Sequence, residues 1–539
     1  MLSIRFSRIP AQLFVISSLL LMARVGTSAE TILNTQEAPA SHGLAGYLGS
    51  QSCNSVACHG SPEPRTTPGS LGRQEFRTWT RHDPHADAAR TLISEEFTRI
   101  LRRVSNLPDG GIDARIYQQC AACHDPEGMS SARFSGQILN QPKVSQGVSG
   151  HGIGCESCHG AAKNWIARHY QRGMDAAQLA RLGMVETQNL SVRGQVCAAC
   201  HIGGSNQDMN HDMIAAGHPP LRFELASYHG QLTAEGNSHW NDLRERRETP
   251  YFEVQLWGAG QAAGNEAALA LLESRLRRAS STPANSPELT SATAVWPEFA
   301  EYNCFACHQN LRPALGTTAT DDGYEKSQGG MPDWSPWNFA LTEALLHSSK
   351  ASPPDALTQM RSMHDAMSTA FMASPAKAAS TLEPLSVLRG ELRAKLSVPG
   401  NWSPAEALDI LTDSKHTPLT WDACCQRYLG LIAVDKGIRD ELAKQNDHSL
   451  PQRGQESLQA KFRRVREALQ FAGEQSEWPR VFASQGKVPD NDPAVTNQSQ
   501  PLSLAEVSQW LDEIAAELRA VSSLPTQPTA LRLSSKAQP

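Results

Sequence analysis

Long runs of charge of one sign are missing from this 539-residue sequence. Its 49 basic and 55 acidic residues are interspersed and leave a formal net charge of -6. Proteins that bind nucleic acid or an anionic membrane surface usually concentrate positive charge in one region. The charge pattern therefore gives no reason to expect either of these partners.

Long apolar stretches are also scarce. The longest one near the N-terminus covers residues 13–22, which is too short to cross a bilayer comfortably. It follows Arg5 and Arg8 and precedes small residues that end at Ala29. This order is typical of a secretory signal peptide, so we predict that residues 1–29 are removed and that no transmembrane segment remains. An uncleaved membrane anchor is the alternative.

Alternating patterns typical of β-strands are weak throughout, whereas helical patterns are clear in the last third of the chain. Ser403 and Ser503 are each followed three residues later by glutamate, which is the capping-box pattern of a helix N-terminus. Two apolar stripes at helical spacing follow in this region. Their members are Leu458, Phe462, Val465 and Leu469 in one, and Leu504, Val507, Leu511, Ile514 and Leu518 in the other.

Ten of the twelve cysteines occur in pairs that are followed directly by histidine. Four pairs have the form C-x-x-C-H, and one pair has four intervening residues. Two cysteines so close together can bond the two vinyl groups of one haem, and the next histidine then lies under the iron as its proximal ligand. The pairs are Cys53 and Cys58, Cys120 and Cys123, Cys155 and Cys158, Cys197 and Cys200, and Cys304 and Cys307, with proximal histidines His59, His124, His159, His201 and His308.

Zinc sites and a disulfide framework are the alternative explanations for paired cysteines, but neither requires a histidine after every pair. We therefore predict five covalently attached haem c groups, the least regular at Cys53. Covalent haem attachment takes place outside the bacterial cytoplasm, so together with the signal peptide it predicts a periplasmic protein. The other two cysteines, Cys424 and Cys425, have no adjacent histidine and are expected to be buried apolar side chains, with a redox pair as the alternative.

A haem that only carries electrons usually has a second strong axial ligand. Nine of the thirteen remaining histidines lie between His42 and His239, interleaved with the motifs. If residues 211–218 are helical, the histidines at the two ends are about 10 Å apart along the axis and can reach different haems. The predicted distal ligands are His85, His169, His211, His218 and His239, with His82 competing with His85, and His151 and His229 in reserve.

Apolar residues at helical spacing are sparse between Cys53 and His239, so the haem macrocycles are expected to form the core of this half. The predicted fold is mainly α. It consists of a multihaem cytochrome c domain with little regular structure at residues 30–310, a linker at 311–336, an α-helical domain at 337–522 and a disordered tail at 523–539.

The segment at residues 152–160, G-I-G-C-E-S-C-H-G, resembles the G-x-x-C-E-x-C-H-G segment of multihaem cytochromes related to the tetrahaem electron acceptor of hydroxylamine oxidoreductase. The resemblance covers about residues 50–310. It implies a mostly helical protein with closely stacked bis-histidine haems, and it supports His169 and, after Trp79, His85 as distal ligands. The chain departs from the family in its fifth motif, its C-x4-C-H spacing and its helical extension.

These features favour a c-type cytochrome that transfers electrons to a redox partner protein. The alternative is a haem-dependent oxidoreductase that acts on a small nitrogen or sulfur compound at an iron with an open distal position. No motif ends in lysine, a variant that some such reductases use at the catalytic haem. The motif at Cys304 has no distal candidate nearby in the sequence, so its iron is the one expected to be open if the protein is an enzyme.

Overall fold

A computed structural model of the chain describes residues 46–62, 73–105, 113–129, 152–205, 207–233, 239–240, 242–281, 296–304, 334, 337–348, 354–370, 387–390, 402–444, 452–469 and 503–522. Its regular elements in these ranges are helices, with two isolated β-bridges, so the predicted mainly α fold is confirmed. The predicted signal peptide and C-terminal tail lie outside the described residues. No helix in the described ranges is both long and apolar enough to cross a membrane.

Short helices make up the haem-motif half of the chain, and longer ones follow. The α-helices before residue 250 are α1 Glu75–His82, α2 Ala88–Thr91, α3 Glu95–Ser105, α4 Ala114–His124, α5 Pro126–Met129, α6 Cys155–His159, α7 Ala176–Arg181, α8 Leu190–His201, α9 His211–Ala216, α10 Leu225–Thr233 and α11 Asp242–Glu248. Those after it are α12 Phe252–Ser281, α13 Thr342–Ser348, α14 Pro354–Ala370, α15 Pro404–Leu411, α16 Trp421–Lys444, α17 Gln452–Ala468 and α18 Leu504–Ser522.

Only small apolar clusters form among the side chains of α1 to α4. One contains Phe76, Trp79 and Ala86. The other joins α3 to α4 and contains Leu92, Phe97, Leu101, Tyr117 and Ala121. Such small clusters bury little apolar surface and contribute correspondingly little to stability. This agrees with the expectation that the haem macrocycles supply much of the apolar interior here.

The 30-residue helix α12 is the central element of the structure. It is buried along nearly its whole length, and Trp257, Leu269 and Leu272 have no exposed surface. Several of its polar side chains are buried as well and have hydrogen-bond partners, since Arg275 donates to Glu301 and Asn265 donates to the carbonyl oxygen of Gln261. Gly194 on α8 allows that helix to come close, because a Cβ atom there would lie 2.9 Å from the Cβ of Ala263. Helix α12 therefore supports α8, which ends in one of the haem motifs.

Glycines inside α12 mark the places where other side chains come closest to its backbone. A Cβ atom at Gly258 would lie 2.2 to 2.4 Å from the indole carbons of Trp402. At Gly260 it would lie 2.5 Å from the Cβ of Leu225. Glycine lowers helix stability by about 1 kcal/mol relative to alanine. Close packing against α12 accounts for that cost at these two positions.

Replacing Gly258 with alanine is expected to lower the free energy of unfolding by about 1–2 kcal/mol, since overpacking costs roughly 1–3 kcal/mol and exceeds the gain in helix propensity. The matched control is Gly264→Ala, where the new methyl group meets only the flexible Cδ1 of Ile202, at 3.3 Å. That variant should be as stable as the parent or slightly more stable. Urea denaturation of the haem-loaded proteins measures both, and equal stability of the two variants would contradict the packing argument.

The helices after residue 400 form as the sequence predicts. Ser403 accepts a hydrogen bond from the backbone N–H of Glu406 at 3.1 Å, and Ser503 accepts one from Glu506 at 3.3 Å. All members of the two predicted apolar stripes are buried, and they meet where α17 packs against α18. Cys424 and Cys425 are both buried on α16, as expected for apolar packing.

One apolar core spans both sides of the predicted linker. Helix α12 packs against α8 and α10 on one side and against α15 and α16 on the other. Trp334, within the predicted linker, is 1% exposed, and its Nε1 donates a hydrogen bond to Glu301 at 3.0 Å. The described residues between positions 46 and 522 belong to one compact unit. The boundaries predicted at residues 311 and 336 stay a prediction.

Candidate functional site

The described haem motifs lie at helix ends. Cys120 to His124 form the last turn of α4, Cys197 to His201 form the last turn of α8, and Cys155 to His159 are helix α6 itself. Residues three apart on a helix share one face, so both sulfurs of each pair are directed to the same side. Cys53 ends a short 3-10 turn, Ser50–Cys53, and its motif continues as a turn to His59. Cys304 is described, whereas Cys307 and His308 lie outside the described residues.

No disulfide bond joins the described motif cysteines to one another. Different motifs are nevertheless neighbours. The backbone N–H of Cys155 donates to Ser50 Oγ, in the turn that carries Cys53, at 3.0 Å. Gln207 Nε2 donates to Cys200 Sγ at 3.1 Å and to the carbonyl oxygen of Ala122 at 2.9 Å. The sulfurs of Cys53 and Cys155 are close enough to affect each other's pKa, as are those of Cys123 and Cys200. The interaction with Cys155 lowers the pKa of Cys53 to about 6. The attachment points of neighbouring motifs are therefore directly adjacent.

Within the described residues before position 250, three pairs of histidine rings have nearly equal distances between their centroids. His59 and His169 are stacked with ring centroids 6.2 Å apart. The rings of His124 and His218 are 6.3 Å apart and roughly perpendicular. Each pair joins a predicted proximal histidine to a predicted distal one. The members of a pair come from segments far apart in the sequence, so the fold brings them together.

The third pair is His85 and His201, whose ring centroids lie 6.0 Å apart. His201 also stacks on Phe223 at 5.2 Å and meets Tyr228 edge-on at 4.9 Å, which fixes its ring. The backbone N–H of Ile153 donates to the carbonyl oxygen of His85 at 3.0 Å and joins the His85 segment to the turn before Cys155. Gly152 has φ +60°, and a Cβ atom there would lie 2.5 Å from the carbonyl oxygen of His85.

These separations fit an iron between the rings. A metal–imidazole bond is about 2 Å long and the ring centroid lies about 1.1 Å beyond the nitrogen, so two imidazoles on opposite sides of one ion have centroids about 6.2 Å apart. Ring contacts without a metal ion also have centroids about 4.5–7 Å apart. The fit to bis-histidine coordination of haem iron therefore rests on the distance together with the pairing, since each of the three pairs joins a motif histidine to a histidine outside the motifs.

A fourth pairing is indicated by electrostatics. Burial lowers the pKa of His159 to about 4, and the electrostatic effect of His239 lowers it further. Burial likewise lowers the pKa of His201 to about 4. Both imidazoles are therefore neutral at pH 7, which is the form that binds a metal ion. Of the side chains that lower the pKa of His159 electrostatically, His239 has the largest effect, so it is the distal candidate for this motif.

The second ring nitrogen of most of these histidines has a hydrogen-bond acceptor. His169 Nδ1 lies 2.8 Å from the carbonyl oxygen of Ile166, and His218 Nδ1 lies 2.8 Å from that of Pro219. His59 Nδ1 lies 3.1 Å from Glu75 Oε2, and this interaction raises the pKa of His59. A donor Nδ1 leaves Nε2 as the metal-binding atom and orients the ring.

Asp83 connects two of the predicted distal ligands. Its Oδ1 accepts from His85 Nδ1 at 2.8 Å, and its Oδ2 accepts from His239 Nδ1 at 3.1 Å. Its side chain also caps the turn Pro84–Asp87, since Oδ1 accepts from the backbone N–H of His85 at 2.9 Å. Although burial raises the pKa of Asp83, the hydrogen bonds from both histidines outweigh it and hold the pKa well below the usual range.

Sequence reasoning missed Asp83, Glu75 and Thr187, whose Oγ1 lies 3.5 Å from His159 Nδ1. For Asp83 a local signal exists, since aspartate before proline is a good N-cap and places His85 at the start of a turn. For Glu75 and Thr187 no local pattern exists. They lie 16 and 28 residues from the histidines that they contact.

The surroundings of Cys304 differ from those of the other motifs. A small cavity of about 90 Å³, partly open to solvent, is lined by Cys304, Arg222, Asn303 and Trp337. This volume is well below the roughly 300–1,000 Å³ that is usual for ligand and cofactor sites, so the cavity has room only for a molecule of a few atoms. His211 lies nearby, with its backbone N–H bonded to Glu298 at 2.8 Å and its ring 5.7 Å from that of Phe299.

The other histidines that the sequence offered have other surroundings. His229 Nε2 lies 3.2 Å from Nη1 of the buried Arg193, and burial lowers the pKa of His229 to about 3. His82 is exposed at the end of α1. His151 lies outside the described residues. The geometry therefore favours His85 over His82 as the distal ligand, because the ring centroid of His85 lies 6.0 Å from that of His201.

Comparison with known proteins adds one finding. Residues 52–160 match the family model described as cytochrome c554 and c-prime. The match covers about a fifth of the chain and includes the motifs at Cys53, Cys120 and Cys155. No curated protein and no solved structure gives a significant match. The family match and the histidine pairs together support a haem c cytochrome segment. Neither of them identifies a redox partner.

Proposed function

We propose that the chain is a periplasmic c-type cytochrome that carries electrons through five covalently attached haems. The observation that carries this proposal is the set of three facing histidine pairs at 6.0 to 6.3 Å, each joining a motif histidine to one from elsewhere. Haem c supplies one-electron redox chemistry. The protein holds the iron between two imidazoles, which closes it to substrate and favours electron transfer over catalysis.

Four irons have two histidines each in this proposal. His59 acts with His169, His124 with His218, His159 with His239, and His201 with His85. His211 is assigned to the iron of His308 because it contacts residues 298–299, shortly before Cys304. Hydrogen bonds to Nδ1 orient the rings and tune the electron density that each imidazole donates.

The spatial order of the motifs follows from contacts between them. The Cys155 backbone N–H donates to Ser50 in the Cys53 turn, and His59 and His169 lie close enough to His159 to lower its pKa. Cys158 lies close enough to Cys197 and Cys200 for them to raise its pKa, and Gln207 joins Cys200 to Ala122 in the Cys120 motif. The proposed order is the Cys53, Cys155, Cys197 and Cys120 motifs. The Cys304 motif adjoins the third of these, since its cavity includes Ile202, next to His201.

The location and the partner are part of the proposal. An export signal at residues 1–29 and covalent haem attachment both suit the periplasm. A redox partner protein would exchange electrons at the half-exposed end of the series, where the His59 side chain is 42% exposed. The mixed surface charge gives no reason to include nucleic acid.

The cavity beside Cys304 favours a second candidate, an oxidoreductase that acts on a small nitrogen or sulfur compound. Arg222 and Asn303 place hydrogen-bonding groups on its wall, and Trp337 supplies an apolar surface. A site of this composition suits a small polar molecule. In this alternative His211 does not bind the fifth iron, which stays open to substrate.

Pyridine haemochrome assay and EPR spectroscopy of the exported protein test both candidates. Electron transfer predicts five haems per chain and low-spin signals only, whereas the enzyme predicts one high-spin haem that disappears in a Cys304→Ser/Cys307→Ser variant. The Cys424→Ser/Cys425→Ser variant is the control and should keep the parental haem content. A colourless, correctly exported protein would overturn both proposals.

A further inference from the structure

A second group of metal-binding side chains lies in the C-terminal half. His347 is at the end of α13, and Asp413 and His416 lie in the loop between α15 and α16. One ligand atom of each of the three lies within 4.8 Å of those of the other two. None of the three belongs to a haem motif, and the sequence analysis assigned no function to them.

Both histidines direct Nδ1 to the same carboxylate oxygen. Asp413 Oδ2 lies 2.8 Å from His416 Nδ1 and 3.3 Å from His347 Nδ1. The other oxygen, Oδ1, accepts from the backbone N–H groups of Lys415 and His416, both at 3.2 Å. Oδ1 thus fixes the turn of the loop, and Oδ2 remains directed to the two imidazoles.

The two imidazoles stack with their centroids 4.0 Å apart. The His416 side chain is 5% exposed and is held by its surroundings, whereas that of His347 is 56% exposed and can adjust. Ligand atoms around a tetrahedral Zn²⁺ ion lie about 3.3 Å apart, given bonds of roughly 2.0–2.2 Å. The separations between Oδ2 and the two nitrogens are close to this value.

We propose that His347, Asp413 and His416 bind a divalent transition-metal ion, with Zn²⁺ the best fit. Two imidazoles and one carboxylate are a ligand set that zinc accepts, and they leave one tetrahedral position for water on the exposed side. The ion ties the end of α13 to the loop that precedes α16. This site is independent of the haems and of the electron-transfer proposal.

Isothermal titration of the haem-loaded, chelator-washed protein with zinc chloride tests the site. The parent should bind one Zn²⁺ more per chain than the His347→Ala variant, or bind Zn²⁺ at least about tenfold more tightly. Loss of a hydrogen-bond partner of a metal ligand already lowers metal affinity by about 10- to 100-fold, and loss of the ligand itself should lower it by at least as much. His347→Ala is the main variant since its side chain is exposed and its loss spares the core. His364→Ala, on the neighbouring helix α14, is the matched control and should bind zinc like the parent.

A second readout covers weak or heterogeneous binding. Zinc should raise the unfolding temperature of the parent and of His364→Ala, but not that of His347→Ala or Asp413→Asn, since a ligand that binds only the folded state stabilises it. Equal zinc stoichiometry, affinity and thermal response in the parent and in His347→Ala would overturn the proposal.

Discussion

Replacing Asp83 with asparagine is expected to raise the reduction potentials of two haems at once. The carboxylate accepts from Nδ1 of both His85 and His239, and a negative acceptor makes each imidazole a stronger donor to ferric iron. Asparagine removes the charge and can accept through only one atom. We expect the reduction potential of each of the two irons to rise by about 50–100 mV. A change of about 59 mV corresponds to a tenfold change in the equilibrium constant of a one-electron reduction. Spectroelectrochemical titration measures both potentials.

The matched control is Glu75→Gln. Glu75 contacts one histidine, His59, so its replacement should shift one haem by a comparable amount. The cap at Pro84 survives in Asp83→Asn because asparagine is as good an N-cap as aspartate, so altered folding does not confuse the result. If Asp83→Asn shifted one haem or none, His85 and His239 would not bind two separate irons.

Substituting a distal histidine is expected to change the spin state of one iron per variant. The His169→Ala variant loses the ring whose centroid lies 6.2 Å from that of His59. The His218→Ala variant loses the ring whose centroid lies 6.3 Å from that of His124. Each variant should lose one low-spin EPR signal and gain one high-spin signal, while the haem content stays that of the parent because no cysteine is changed. Both histidines are only partly buried, so the core remains intact.

The control for these variants is His82→Ala. This histidine is exposed at the end of α1, three residues from His85. Its loss should leave every EPR signal unchanged. A high-spin signal in His82→Ala, or unaltered spectra in His169→Ala and His218→Ala, would show that the histidine pairs do not bind iron together.

Local sequence patterns predicted the helical half well. The capping boxes at Ser403 and Ser503 and the apolar stripes depend on contacts within one helix turn or along one helix face, and these are readable from spacing alone. The haem motifs are equally local, since two cysteines and a histidine share one turn. The helices that carry three of the described motifs were not predicted and are seen only in the structure.

Contacts between segments far apart in the chain could not be predicted from the sequence. Which histidine faces which motif depends on the tertiary fold, as in the pairing of His59 with His169. Residues 211–218 also differ from the helix assumed for them, because Gly217, with φ +123°, ends α9 at Ala216. His218 therefore reaches His124 from a loop rather than from the second turn of a helix.

The role of α12 could not be predicted for a similar reason. Its glycines were visible in the sequence, but their partners Trp402 and Leu225 come from other parts of the chain. The Cys304 cavity is likewise built from several segments, among them Arg222 and Trp337. Propensity and periodicity describe single elements, whereas a cavity depends on how several elements meet.

The closeness of Cys53 to Cys155, and of Cys123 to Cys200, has a consequence for biogenesis. In an oxidising compartment, neighbouring thiols form disulfides. If the protein is exported and carries haem c as proposed, a polypeptide that closed around empty motifs would join cysteines of different motifs. Thioether formation would then have to precede closure, or a reductant would have to keep these cysteines as thiols until it is complete.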